Sequence, residues 1–220
     1  MTRTTGSSRD YPVCMEVAGP LALFARPDTG GAPVSYPVPT RSAAKGLFDA
    51  IAFYADGAAW IAPTRVEVCR PRNGQGGAVR FESYVTNYGG PLRKSDQLGK
   101  DNNLQLFATA LYDVCYRLHG EVRGEARRGC NPRHALRDMF IRRLEKGQCF
   151  RTPSLGWKEF TCAYWGPPRE DCWEVDEALD IEIPSMLSGM WSAEVAGRYA
   201  PAFVQDAEVK RGVLEYKEAT

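Results

Sequence analysis

The chain has 220 residues, of which 44% are hydrophobic, 25% charged and 11% aromatic. That length and balance supply enough chain for one large core, and they exclude tandem domains, wholesale disorder, collagen-like repeats and coiled coil. The net charge of +1 conceals 21 Arg against 7 Lys, a bias that fits either GC-rich codons or selection for phosphate contacts.

Val13, Met15 and Val17 alternate with Cys14 and Glu16, which predicts a half-buried first strand over residues 11–18. Thr40 caps a helix expected to run to about Tyr54, with Ala44, Leu47, Phe48 and Ile51 as its apolar stripe and Ala55-Asp56-Gly57 as its end. Residues 59–70 read as a second strand, Val66 and Val68 alternating with Arg65 and Glu67. The stretch 71–104 is rich in glycine and charge and reads as a projecting arm, either a segment that orders on a partner or a plain surface insertion. Within it, Val79 to Val85 suits a short hairpin strand.

From Leu111 a third strand places Tyr112, Val114, Tyr116 and Leu118 on one face, with Asp113, Cys115, Arg117, His119 and Glu121 on the other. Asn131-Pro132 caps a second helix whose stripe is Leu136, Met139, Phe140 and Leu144 and whose end is Gly147. Arg143 interrupts that stripe without a reason in the sequence. A fourth strand is expected over residues 159–165, before Gly166-Pro167-Pro168. The resulting order predicts an α+β, ferredoxin-like βαββαβ domain over residues 1–166. Residues 167–220 form a small β-rich C-terminal region, with strands at Leu179–Ile183 and Val209–Tyr216.

Charge is segregated along the chain. Residues 117–151 carry ten Arg or Lys and four acids, whereas 170–182 carry seven acids and no base. The basic stretch reads either as a solvated face or as a phosphate site at a helix start, where first-turn amides and the dipole attract anions. Arg133 and His134 occupy that first turn, with Arg127, Arg128 and Arg137 nearby. His134 points away from the apolar stripe, so it is expected to face solvent or ligand and to exchange protons near neutral pH, while Arg133 steadies a phosphate. This suits RNA self-cleavage, in which the 2′-OH attacks its own phosphate without a metal. His119 reads as an exposed sheet residue and receives no role.

The seven cysteines are scattered, with no CxxC pair, and only two histidines are present. Reduced thiols are expected, with neither metal nor cofactor. No apolar window approaches the ~18 to 20 residues of a membrane span, and MTRTTGSSRDYP lacks a signal-like run. A cytoplasmic protein without membrane contact is expected.

Several segments carry a family resemblance. Residues 16–27 (EVAGPLALFARP), 34–40 (VSYPVPT) and 44–46 (AKG) are similar to the start of the type I-C (Dvulg) CRISPR-associated pre-crRNA endoribonucleases, members of the RAMP superfamily. The similarity continues through residues 65–71 (RVEVCRP), 88–90 (YGG), 111–116 (LYDVCY) and 144–147 (LEKG). It implies a ferredoxin-like domain with a β-rich addition. It also implies an enzyme that cuts the CRISPR repeat transcript and stays on the 5′ handle of the mature crRNA. Partners would be the backbone and large subunits of a surveillance complex, with the arm at 71–104 reaching the neighbouring backbone subunit.

The family's site combines a Tyr near the end of the first helix with a Lys-His pair at the start of the second. His134 matches the histidine, and Arg133 stands where lysine is usual. Ungapped counting puts Ala52 at the tyrosine position, with Tyr54 two residues beyond as the candidate. Arg41 and Lys45 of the first helix join Arg127, Arg128 and Arg137 as RNA-binding candidates. Two other readings stay open: a non-catalytic subunit that binds the 5′ handle, and a protein that engages duplex DNA non-specifically.

Overall fold

The computed structural model describes residues 10–74, 77–88, 104–124, 131–191 and 198–217. Its strands are β1 (Pro12–Ala22), β2 (Ala59–Pro71), β3 (Phe81–Tyr88), β4 (Leu104–Gly124), β5 (Tyr164–Gly166), β6 (Trp173–Val175), β7 (Ile181–Trp191), β8 (Tyr199–Lys210) and β9 (Val213–Glu215). The helices are α1 (Arg41–Ile51) and α2 (Pro132–Glu145). The strands join one antiparallel sheet in the order β5-β1-β4-β2-β9-β8-β7, with β3 added on β4 and β6 on β2. The protein is therefore α+β, a mostly antiparallel sheet with two helices.

Both helices begin as their sequences dictate. Thr40 Oγ1 accepts the Ala43 N–H at 3.1 Å, and Asn131 Oδ1 accepts the Arg133 N–H at 3.1 Å with Pro132 in the first turn. The stripe of α1 meets that of α2 where Phe48 and Phe140 approach with ring centroids 5.7 Å apart. Beneath them Met15, Val17, Val66, Val68, Tyr116 and Leu118 are fully buried. Gly120 permits this closeness, since a Cβ there would stand 2.8 Å from Ile61 Cγ2 and 3.1 Å from the Phe48 ring. Arg143 also finds its reason: Nη1 donates to the Ile51 carbonyl at 2.8 Å, so the charge within the stripe satisfies the last carbonyl of α1.

The opposite face of the sheet carries charge. Glu16, Arg117 and Glu67 stand in register across β1, β4 and β2. Glu16 is completely buried; its carboxylate accepts from Arg117 Nε at 3.4 Å, Arg169 N at 2.9 Å and Arg169 Nε at 2.7 Å. Arg117 also donates to the Trp173 carbonyl at 2.8 Å, and the Arg169 guanidinium lies 3.5 Å from the Tyr164 ring centroid. The chain after β5 is thereby fastened onto the sheet. His119 is half-buried with Nε2 2.9 Å from Glu67, which gives it a structural partner.

Several boundaries differ from the sequence reading. β1 runs on to Ala22 because β4 extends alongside it; its ladder skips Pro20, which has no N–H, and Asp113 opposite, which has φ +49°. α1 stops at Ile51, with Ala52 already extended, rather than reaching Tyr54. The third strand starts at Leu104, and the expected hairpin strand is β3, zipped onto its first half; residues 89–103 of the arm lie outside the described residues. The fourth strand shrinks to Tyr164–Gly166, because Trp157 and Phe160 stack at 5.8 Å and Phe160 meets Tyr84 of β3 at 4.9 Å. Those aromatics pack as a cluster instead of alternating on the sheet. Finally, Val209–Tyr216 is split into β8 and β9 by Arg211-Gly212, both with positive φ, the geometry of a two-residue hairpin loop. β9 then pairs with β2, making the C-terminal strands continuous with the rest.

Glu16→Gln should destabilise the protein by about 3 kcal/mol, because two guanidiniums lose their buried counter-charge; a urea melt at neutral pH measures this. The Glu67 carboxyl is held below its usual range, chiefly by the hydrogen bond from His119. A depressed pKa adds stability above the ordinary carboxylate value, and that stability is lost as pH falls through the lower folded value. Glu67→Gln should therefore flatten the acid limb of the stability–pH curve, with the largest difference from the native protein near neutral pH.

Candidate nucleic-acid interface

The first turn of α2 brings together a cation, an imidazole and an aromatic ring. The His134 side chain is 62% exposed, and Asp138, one turn on, lies 3.2 Å from its Nε2. Both groups are in water, so this contact orients the imidazole more than it stabilises the helix. Arg133 is half-buried; its guanidinium lies 5.4 Å from the Tyr11 ring centroid, and its Nε has no hydrogen-bond partner. The same ring meets His134 edge-on at 6.1 Å. Asn131 Nδ2 donates to the Tyr11 hydroxyl at 3.0 Å, and Arg137 Nε donates to the Pro12 carbonyl at 3.3 Å. The start of β1 and the start of α2 therefore hold each other.

Tyr11 is the residue that sequence reasoning missed. It precedes the first alternating positions, so periodicity gave it no weight, and its proximity to His134 depends on the long-range pairing of β1 with β4.

Tyr54 lies elsewhere in the site. It lines a pocket of about 240 Å³ with Lys45, Asp49, Trp60 and Leu136, and His134 is not among its walls. Leu136 is the link, since it follows His134 by two residues on α2. Lys45 Nζ is paired with Asp49 at 2.6 Å. Arg41, the first residue of α1, lines a crevice with Met186, Leu214 and Tyr216 at the C-terminal strands. Arg127 and Arg128 lie outside the described residues. Ala52, at the ungapped tyrosine position, is buried in the core.

Part of the acidic stretch is paired with this chain's own arginines. Arg70 and Arg72 reach Glu174 at 3.0 and 3.5 Å, and Arg211 reaches Glu177 at 2.6 Å. Burial pushes the Cys14 thiol up to about 11 and the Cys162 thiol up to about 12, which disfavours the thiolate at both. Among the described residues, no group of three or more His, Cys, Asp or Glu side chains is placed to hold a metal ion, and no helix is long and apolar enough to cross a membrane.

Comparison with known proteins assigns this arrangement to a class. Residues 13–216 match the model of a CRISPR-associated protein family, Cas5d. The chain belongs to the Cas5d family of CRISPR-associated proteins. It is 33% identical over 190 residues to the CRISPR pre-crRNA endoribonuclease Cas5d of Thermus thermophilus, covering 84% of this chain and 75% of that protein. It is 32% identical over 218 residues to the protein of the same name from Mannheimia succiniciproducens, covering 91% and 92%. A crystal structure of a CRISPR-associated protein shares the fold at 20% identity, with TM-score 0.64 over 96% of this chain and 93% of that one.

Asn131→Ala should cost about 1 kcal/mol, because the first turn of α2 loses its cap. Asn131→Asp keeps the acceptor for the Arg133 N–H but loses the donor to Tyr11, and should recover most of that loss in a thermal melt.

Proposed function

We propose that this protein is a metal-independent endoribonuclease that cleaves pre-crRNA within the repeat and stays on the crRNA 5′ handle in the type I-C surveillance complex. The observation that carries this reading is the pairing of an exposed imidazole with a fixed guanidinium at the start of α2, His134 oriented by Asp138 and Arg133 lying over Tyr11. Two relatives bearing the endoribonuclease name support it.

The chemistry follows from the groups present. His134 Nδ1 accepts the proton of a 2′-OH, whose oxygen attacks the adjacent phosphorus. Arg133 stabilises the added negative charge on the non-bridging oxygens while staying protonated. The P–O5′ bond breaks, leaving a 2′,3′-cyclic phosphate and, once that oxygen gains a proton, a 5′-OH. Since the nucleophile is internal to the RNA, no metal-activated water is required. Tyr54 is the third group, reaching the substrate from the pocket that Leu136 closes. Arg41, Lys45, Arg137, Arg127 and Arg128 make the basic contacts to the RNA.

The antiparallel order β5-β1-β4-β2 with α1 and α2 supports a ferredoxin-like βαββαβ unit within residues 1–166, with residues 167–220 as its β-rich extension. Phe81, Val85 and Phe107 are exposed on the β3–β4 hairpin, a surface that suits the neighbouring backbone subunit. The large subunit is a second partner and duplex DNA a non-specific one, all in the cytoplasm.

One observation favours a second reading. The side chain at the ungapped tyrosine position is a buried methyl, Ala52, and the usual lysine is Arg133. A non-catalytic 5′-handle-binding subunit would tolerate both.

Incubating the cognate repeat RNA with the protein in EDTA should yield cleavage ending in a 2′,3′-cyclic phosphate. Activity lost to the chelator would reject the metal-independent mechanism, and intact RNA that stays tightly bound would favour the second reading. His134→Ala should reduce cleavage by at least about 100-fold while the RNA affinity in a filter-binding assay stays near that of the native protein.

A further inference from the structure

The turn after α1 gathers aromatic side chains that the core does not use. The Gly57 N–H bonds to the Tyr54 carbonyl at 3.2 Å, and the Ala58 N–H to Asp56 Oδ1 at 3.0 Å, so the chain reverses at once and leads Trp60 back beside Phe53 and Tyr54. Phe53 is 40% and Trp60 43% exposed, a large apolar area left in water. Phe53 leans on Phe150, itself exposed, at 5.6 Å with planes tilted by 32°. The pocket lined by Phe53, Tyr54 and Trp60 also has Lys45 and Asp49 of α1 and Leu136 of α2 among its walls.

This composition selects a class of ligand. Aromatic walls favour a flat ring system, while an ammonium beside a carboxylate offers one donor and one acceptor to its edge. At about 240 Å³ the cavity lies below the roughly 300 to 1,000 Å³ of pockets for drug-sized ligands. A larger cavity beside Arg70, Arg72 and Arg117 has no aromatic side chain among its walls, so it makes no comparable site. Location points the same way. Leu136 belongs to the same turns of α2 as Arg133 and His134, and Trp60 stands in register with Arg123 on β4. Unpaired RNA bases are recognised by stacking on aromatic side chains beside basic groups.

We infer that this pocket receives one unpaired nucleobase of the repeat RNA next to the scissile phosphate, stacked on Trp60 and Phe53 and met at its edge by Lys45 and Asp49. The inference rests on the RNA-cleaving reading of α2. It makes Trp60 and Phe53 binding residues that fix which phosphate reaches His134.

The test uses the full chain and synthetic repeat RNAs with an abasic nucleotide at each unpaired position in turn. Trp60→Ala should weaken binding of the unmodified repeat about tenfold, and Phe53→Ala should weaken it by a similar or smaller factor. One abasic position should cost the native protein about the same factor and cost Trp60→Ala nothing further. Trp60→Phe should recover most of the affinity, and 2-aminopurine at that position should be quenched on binding to the native protein but not to Trp60→Ala. If both alanine variants bind within roughly twofold of the native protein, or if the abasic and Trp60 losses multiply at every position, the inference is overturned by itself. If the native protein fails to bind the unmodified repeat, the RNA-cleaving reading falls and takes the pocket with it.

Discussion

A single buried carboxylate organises this molecule. Glu16 lies in the middle of β1, out of water, between Arg117 of β4 and Arg169 beyond β5. Burying one charge is expensive, and the cost is offset only when both carboxylate oxygens are met by well-placed donors. Three donors from two residues meet that demand, and Arg117 passes the constraint on by binding the Trp173 carbonyl. The chain between β5 and β6 is thereby tied to the face of the sheet opposite the helices. That face is spent on internal ion pairs, so the polar chemistry available to a ligand moves to the end of the domain where α2 begins.

The two helices complete that arrangement through different means. Apolar stripes set them side by side, and Gly120 sets their depth on the sheet. Arg143 then links the two by hydrogen-bonding the Ile51 carbonyl at the end of α1. In a single helix the residue is an anomaly in an apolar stripe, whereas in the pair it is a cap supplied by a neighbour. Tyr11 has the same character. Its ring supports Arg133 and His134 only because β1 is paired along β4, and its hydroxyl receives Asn131 only because α2 starts where that strand begins.

These cases separate what was legible in the sequence from what was not. Period-two and helical spacing located β1, α1, β2, β4 and α2, because burial on one face writes itself into neighbouring positions. The caps Thr40 and Asn131 were readable for the same local reason, as was the outward direction of His134. The short β5 and β6, the hairpin at Arg211-Gly212 and the role of Tyr11 were not, since each is decided by contacts distant in the chain. Residues 159–165 illustrate the conflict, for they read as one strand, yet Phe160 packs with Trp157 against Tyr84 and only the end of the segment pairs in the sheet. Of the proposed site, His134, Arg133 and Lys45 could be named from spacing and family resemblance. The gathering of Phe53, Tyr54, Trp60 and Leu136 around one pocket required the fold.

The way β9 returns to β2 has a consequence for biosynthesis. β4 occupies one side of β2, and the other side is covered by β6 and β9, which are synthesised after β1, β2 and β4. Until then a long strand of a nearly complete sheet presents unpaired amides and carbonyls, the condition under which nascent chains pair with one another. Shielding of that nascent edge by a chaperone, or prompt engagement of RNA by the part already folded, would carry the chain through this interval.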